Sequence, residues 1–176
     1  MIQYETAPSP FFEANKAQVE SIERQLNALK AEYSGFCSSY GYDIVAAFQK
    51  DQRNWHIQLI KSQTTKNGVI IPQNSTDHFE TTVTITGLKN TITFSMGRSF
   101  FNWIFPSAQL PSPYYLRINS TDEAYIEHLA VISQLYEPRS LKQTSEQLTG
   151  KLKFQLTDLD DLIENLERLF AWQSFL

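Results

Sequence analysis

The chain has 176 residues, of which 41% are hydrophobic and 19% are charged, with 15 Lys and Arg against 19 Asp and Glu. This length fits one domain and the composition supplies a sizeable core, which excludes extended disorder. The net charge of −4 and the lack of a basic run exclude a nucleic-acid backbone as the partner.

Cysteine content and the first residues indicate the compartment. Cys37 is the only cysteine, which fits a reducing environment. The N-terminus shows neither the basic nor the apolar region of a secretory signal, and no apolar run approaches the roughly 18 residues that span a membrane. We therefore expect a cytoplasmic protein without membrane contact, organised as a single α+β domain over residues 1–176.

A long first helix is predicted to begin at Ser9-Pro10, because serine caps helices and proline fits the first helical position. Apolar residues then recur at intervals of three and four, and the pattern predicts a helix that ends near Gly35. Such a stripe indicates either a helix lying across a sheet or a contact with a second copy of the chain. The homodimer contact of the second alternative uses Val19, Ile22, Leu26 and Leu29.

An antiparallel meander of about five strands is predicted next. Residues 43–61 read as one hairpin, and Asn67-Gly68 is a turn signal that joins the following strand to residues 69–71. The strongest alternation in the chain covers 79–97 and predicts a hairpin with one buried face and one Thr-rich, hydrated face. Short connections between sequential neighbours favour the meander.

Two aromatic segments carry more apolar surface than one helix face can bury. Residues 100–105 are predicted to be either a linker helix wedged between the sheet and the helices or the lining of a pocket or partner patch. The C-terminal aromatic residues either dock on the core or face a partner. The candidate ligand or partner surface comprises Arg98, Phe100, Phe101, Trp103, Phe105, Arg117, Trp172 and Phe175.

The last third of the chain alternates strands and helices. A short strand at 114–118 precedes a capping box, Ser120 to Glu123, whose helix runs to about Tyr136 before Pro138. The segment 139–150 is polar and receives no assignment. Residues 151–156 alternate with outward lysines, which is typical of an edge strand, and a second capping box at Thr157 opens the last helix.

These patterns predict an α+β fold. It has a long N-terminal helix, an antiparallel β-meander of about five strands plus one or two later strands, and two C-terminal helices packed on one face of the sheet. Few residues suggest chemistry: His56, His78 and His128 lie far apart and form no metal-ligand spacing, and Cys37 has no adjacent base or cation to activate it. No catalytic residue, metal site or cofactor is predicted.

The leading functional hypothesis is a non-enzymatic intracellular interaction protein, chaperone-like or immunity-like, that recognises a protein partner. It rests on the missing catalytic constellation, the heptad-like first helix and the acidic, apolar-ended C-terminus. The alternative is a small-molecule-binding domain, or an enzyme of unfamiliar type, with an aromatic pocket near residues 100–105.

Overall fold

The computed structural model describes residues 1–6, 9–65, 75–99, 109–153 and 158–171. Three helices and nine strands lie within these residues. In chain order they are β1 (Ile2–Tyr4), α1 (Pro10–Ala28), β2 (Glu32–Ser38), β3 (Gly41–Lys50), β4 (Arg53–Thr65), β5 (Ser75–Thr86), β6 (Phe94–Arg98), β7 (Tyr114–Ile118), α2 (Glu123–Tyr136), β8 (Pro138–Gln143), β9 (Gln147–Leu152) and α3 (Leu159–Ala171). The predicted turn at Asn67-Gly68, the strand at 69–71 and the aromatic segment 100–105 fall outside the described residues.

The described strands form one sheet in the order β1-β2-β3-β4-β5-β9-β8-β6-β7. All neighbours are antiparallel except β1 and β2. The predicted α+β class is confirmed, but the sheet of nine strands is larger than expected. The strands β1, β2 and β8 were not predicted. Residues of β2 were assigned to the end of the first helix, and β8 lies in the unassigned segment 139–150.

The predicted hairpin at 79–97 is wrong, because its two strands are not neighbours. β5 pairs with β4 and β9, whereas β6 pairs with β7 and β8. A turn does follow β5, with Gly87 at a φ of 83°, but the chain then runs beside the β8–β9 turn, where the Leu88 N–H donates to the Glu146 carbonyl at 3.0 Å. Alternation shows which face of the sheet a residue occupies, and the predicted faces of Val83 and Thr84 are confirmed. Alternation alone does not reveal the neighbouring strand.

The first helix begins as predicted, with the Ser9 hydroxyl accepting from the Phe12 N–H at 3.1 Å. It ends at Ala28 rather than near Gly35, because Lys30 adopts a left-handed φ of 55° and the Ala31 N–H donates to the Leu26 carbonyl at 2.9 Å. This geometry closes a helix C-terminus. The apolar stripe packs on the chain's own sheet, so the predicted homodimer contact has no support: Val19, Ile22 and Leu26 are buried and Leu29 is partly buried against the core.

The later elements depart from the prediction at their boundaries. The cap of α2 is Asp122 rather than Ser120, since the Asp122 carboxylate accepts from the Tyr125 N–H at 3.2 Å. The helix ends at Tyr136 as expected. Of the predicted edge strand at 151–156, residues 154–156 lie outside the described residues, and Lys151 and Leu152 are the end of β9, which lies inside the sheet between β5 and β8. The outward Lys151 is exposed because that face of the sheet is hydrated.

The three helices pack on one face of the sheet, which we call the inner face. Tyr125 of α2 meets Phe94 of β6 edge-on at 6.2 Å between ring centroids, and Phe170 of α3 lies 4.8 Å from the guanidinium of Arg53. Successive strands contribute buried residues to this face, among them Ile44, Trp55, Val83, Leu148, Leu141 and Met96. No described helix packs on the opposite face, which we call the outer face.

Candidate functional site

Charges are segregated along the outer face. Because side chains alternate along each strand, the register identifies every outward residue. In β2 to β5 the outward charged residues are all acidic: Glu32, Asp43 and Glu80. In β9, β8, β6 and β7, among the described residues, they are all basic: Lys151, Lys142 and Arg117 by register, and Arg139, which lies in the bulge of β8 and reaches the outer face in its ion pair with Glu80.

Two of the four cations share one carboxylate across the border between these regions. The Glu80 carboxylate accepts from Arg139 at 3.2 Å and lies 3.7 Å from the Lys151 ammonium. Arg117 and Lys142 form no ion pair with any carboxylate in the described part of the chain. Both are exposed, so they are available to an external anion.

Arg117 and Lys142 flank a shallow groove along β6. Ser95 of β6 is in register with both of them, one on each neighbouring strand. Adjacent strands are about 4.8 Å apart, so the two Cα atoms are about 10 Å apart and the long side chains can converge above Ser95. Cavities of about 550 and 670 Å³ open along the groove and share these three residues.

The floor of the groove must be small. A side-chain carbon at Gly97 would lie 2.7 Å from the Arg139 carbonyl oxygen and 3.3 Å from Cε1 of Tyr115, so only glycine lets the neighbouring strand and the tyrosine ring approach so closely. We define the cationic groove as Ser95, Gly97, Tyr115, Arg117 and Lys142.

Hydrogen bonds outside the regular pairing hold the far end of the groove. Asn119 accepts from the Thr93 N–H at 2.7 Å and donates from its amide nitrogen to the Thr91 carbonyl at 3.1 Å, which ties the end of β7 to the segment before β6. On the other side, the Thr144 hydroxyl accepts from the Gln147 N–H at 3.2 Å within the β8–β9 turn. The strands that carry Arg117 and Lys142 are therefore fixed by local contacts on both sides.

The structure separates the two predicted arginines. Arg98 lies on the inner side of β6, three residues from Ser95, where its guanidinium donates to Glu137 at 2.5 Å and to the Tyr114 hydroxyl at 3.2 Å. These hydrogen bonds, first that to Tyr114, raise the pKa of Arg98. Arg117 faces the opposite side, in the groove, and His56 is far away on β4. The remaining predicted site residues, Phe100, Phe101, Trp103, Phe105, Trp172 and Phe175, lie outside the described residues.

Four residues of the groove were not predicted from the sequence: Ser95, Gly97, Tyr115 and Lys142. Lys142 falls in the segment that received no assignment, although Leu141 and Gln143 on either side of it are buried and give the alternation of a strand. That signal marks a strand but does not place it beside β6, so the groove could not be assembled from sequence.

Other reactive groups are engaged or neutral. Burial, with a smaller contribution from Glu5, raises the pKa of the Cys37 thiol to about 11, which leaves it protonated and a poor nucleophile at neutral pH. A ring nitrogen of His128 lies 2.8 Å from the Asn165 carbonyl oxygen. Within the described residues, no group of three His, Cys, Asp or Glu side chains is arranged to hold a metal ion.

No protein-family model, curated protein or solved structure matches the chain. In the part of the chain that the structure describes, no helix is both long and apolar enough to cross a membrane.

Proposed function

We propose that this protein is a non-enzymatic binding protein that recognises an acidic segment of a protein partner at the cationic groove. The observation that supports the proposal is the position of Arg117 and Lys142 on either side of Ser95, with no carboxylate beside them in the described residues. Binding without chemistry is common to the chaperone-like and immunity-like roles considered from the sequence.

The size of the charged surface favours a protein segment over a nucleic acid. A nucleic-acid groove follows many phosphates with a track of basic residues. Among the described residues only two unpaired cations face this groove, and the whole chain carries a net charge of −4. Two cations with hydroxyl groups between them suit one or two carboxylates presented by a short segment.

The electrostatic contribution is modest, because both side chains are exposed. Exposed ion pairs typically contribute about 0.2–1 kcal/mol each, and salt weakens them. We therefore expect weak binding from charge alone, with the groove and its surroundings adding contacts that select the partner.

The test uses a fluorescein-labelled hexaglutamate peptide and fluorescence polarisation. The double variant Arg117→Gln/Lys142→Gln is expected to bind about five-fold more weakly or worse, because it removes both exposed cations that attract the peptide. Binding to the unchanged protein should also weaken as salt rises from about 20 to 300 mM, since the Debye length shortens.

A matched control separates the groove from net charge. Arg24→Gln/Lys30→Gln removes two exposed cations on the α1 side of the molecule and changes the net charge equally. This control should retain the affinity of the unchanged protein. Equal weakening in both double variants would mean that the peptide responds to overall charge, and would contradict the proposal.

A further inference from the structure

The strand that carries Arg117 ends the sheet. β7 is paired with β6 and has no other described neighbour. The Asn119 N–H donates to the Thr93 carbonyl at 3.2 Å and the Ser99 N–H donates to the Pro113 carbonyl at 3.0 Å. In an antiparallel pair these bonds repeat every second residue. Tyr115 and Arg117 therefore bond to β6, and Leu116 and Ile118 do not.

The backbone groups of Leu116 and Ile118 consequently point away from the sheet. Each residue offers one N–H and one carbonyl at the free edge, and no described residue bonds to them. Such a row of groups is a template for a further strand. β7 is five residues long, whereas the opposite edge, β1, has only three.

We propose that the acidic segment binds as an additional antiparallel strand on β7, with an acidic residue opposite Arg117 and an apolar residue on each side of it. This inference rests on the proposed function and adds the backbone geometry and the sequence pattern of the partner segment. The antiparallel direction follows the rest of the sheet and is the slightly more stable pairing.

The pattern follows from the side-chain directions of β7. On the free edge Leu116 and Ile118 form the hydrogen-bonded pairs, and Arg117 forms the pair whose side chains approach most closely, at about 4.5 Å between Cα atoms. An acidic side chain at that position lies beside Arg117 on the outer face. Its two neighbours point to the inner side, where Leu116 and Ile118 pack partly buried against the core, so apolar residues suit those positions.

Charge selects this occupant over a second copy of the chain. Two β7 strands paired edge to edge would bring like charges at Arg117 together on one face, which is unfavourable. Lys142 lies two strands further in, about 14 Å from an added strand, too far for direct contact. Arg117→Gln is therefore expected to weaken binding more than Lys142→Gln.

The test uses the unchanged protein and three synthetic peptides, read out by the amide resonances of Leu116 and Ile118 in NMR titrations. The parent peptide is acetyl-Thr-Val-Glu-Val-Ser-amide, expected to bind and shift both resonances. In the second peptide both valines are N-methylated, which removes the N–H groups that face β7. In the third only the glutamate is N-methylated, where the N–H faces solvent.

Methylation of the valines is expected to abolish the shifts of both resonances. Methylation of the glutamate is expected to preserve the shifts and to change the affinity by no more than about two-fold. Equal binding of all three peptides, or loss on methylating the glutamate alone, overturns the antiparallel strand. If the parent peptide leaves both resonances unmoved while hexaglutamate still binds in an Arg117-dependent manner, the edge-strand inference fails and the proposed function stands. If neither peptide binds, both fail.

Discussion

The two halves of the outer face share one sheet and differ in almost everything else. The half formed by β2 to β5 carries three acids, a Thr-rich centre and the exposed side chains of Phe36 and Val45, 49% and 48% exposed. The half formed by β9, β8, β6 and β7 carries four cations and a groove. The difference teaches that the candidate site belongs to the half assembled from strands that are distant in sequence.

Twist reinforces the separation of the halves. Adjacent strands rotate by roughly 20–25°, so several strands between β3 and β7 turn the two ends of a sheet toward different directions. A partner on the groove therefore meets one half without meeting the other. Each of the following predictions changes one of the two halves.

The largest loss of stability is expected from Gly97→Val, in the half formed by β9, β8, β6 and β7. The added side chain meets the Arg139 carbonyl oxygen at 2.7 Å and the Tyr115 ring at 3.3 Å, and overpacking of this kind costs about 1–3 kcal/mol. Urea denaturation measures the loss. Ala47→Val adds similar bulk to the outer face of β3 and should change stability by less than about 0.5 kcal/mol; comparable losses in both variants would remove the special role of Gly97.

Alkaline pH is expected to destabilise the folded protein through buried residues on the inner face of the half formed by β2 to β5. Burial raises the pKa of Cys37 from 9.0 to about 11, and burial also raises that of Tyr42 to about 12. Between about pH 9 and 11 the unfolded chain loses the thiol proton that the folded chain retains, so stability falls as pH rises through this window. Below about pH 9 the thiol adds no pH dependence to the free energy of unfolding.

Urea midpoints across this range, taken with a reducing agent present, measure the slope. Cys37→Ala removes the thiol proton and should flatten the curve between about pH 9 and 10, before Tyr42 contributes. An identical slope in the variant would show that the thiol is not the group responsible.

Glu80→Gln should strengthen binding of the acidic peptide, because it releases Arg139 and Lys151 from their ion pairs. We expect an increase of about two- to five-fold, within the range of exposed ion pairs, measured by polarisation with hexaglutamate. Asp43→Asn makes the same charge change on β3, in the same half but two strands further from the border with β9, where the side chain accepts from Gln58 at 3.0 Å. It should leave the affinity unchanged, and an equal gain in both variants would contradict the local explanation.

The smallest effect is expected from Phe36→Ser/Val45→Thr. Both side chains are about half exposed and lie far from the groove, so stability should change by less than about 0.5 kcal/mol per site. Hexaglutamate should bind with unchanged affinity. A clear loss of binding would instead show that Phe36 and Val45 belong to the same binding site as Arg117.

The same division explains how much could be predicted. β3 and β4 were predicted because a two-residue turn joins them, with Asp51 and Gln52 at positive φ values of 49° and 63° and one alternation pattern continuing across it. The buried and exposed faces of β5 were likewise predicted from the alternation of apolar and polar residues along the strand. The inner helices were located from caps and apolar spacing. The observed ends of α2 lie within a few residues of the prediction, whereas α1 ends at Ala28 rather than near Gly35.

The groove could not be predicted, because pairing between distant strands leaves no local pattern. Ser95 meets Arg117 on one side and Lys142 on the other, and both come from later segments. Of the predicted site residues, Arg117 was chosen for its nearness in sequence to an aromatic segment, and it lies in the groove. Arg98 was chosen for the same reason but lies on the opposite side of the sheet. The alternation of side chains along the strands was not used to assign the two arginines to faces.

The insertion of β9 beside β5 has a consequence for the order of folding. Val83 pairs with Gly150, so β5 has a bare edge until nearly the whole chain has been synthesised. Contacts so distant in sequence form late and slow folding, and an unpaired strand edge during that interval invites association between nascent chains. Chain termination before β9 would leave this edge of β5 permanently unpaired, and such an edge is a template for association between chains.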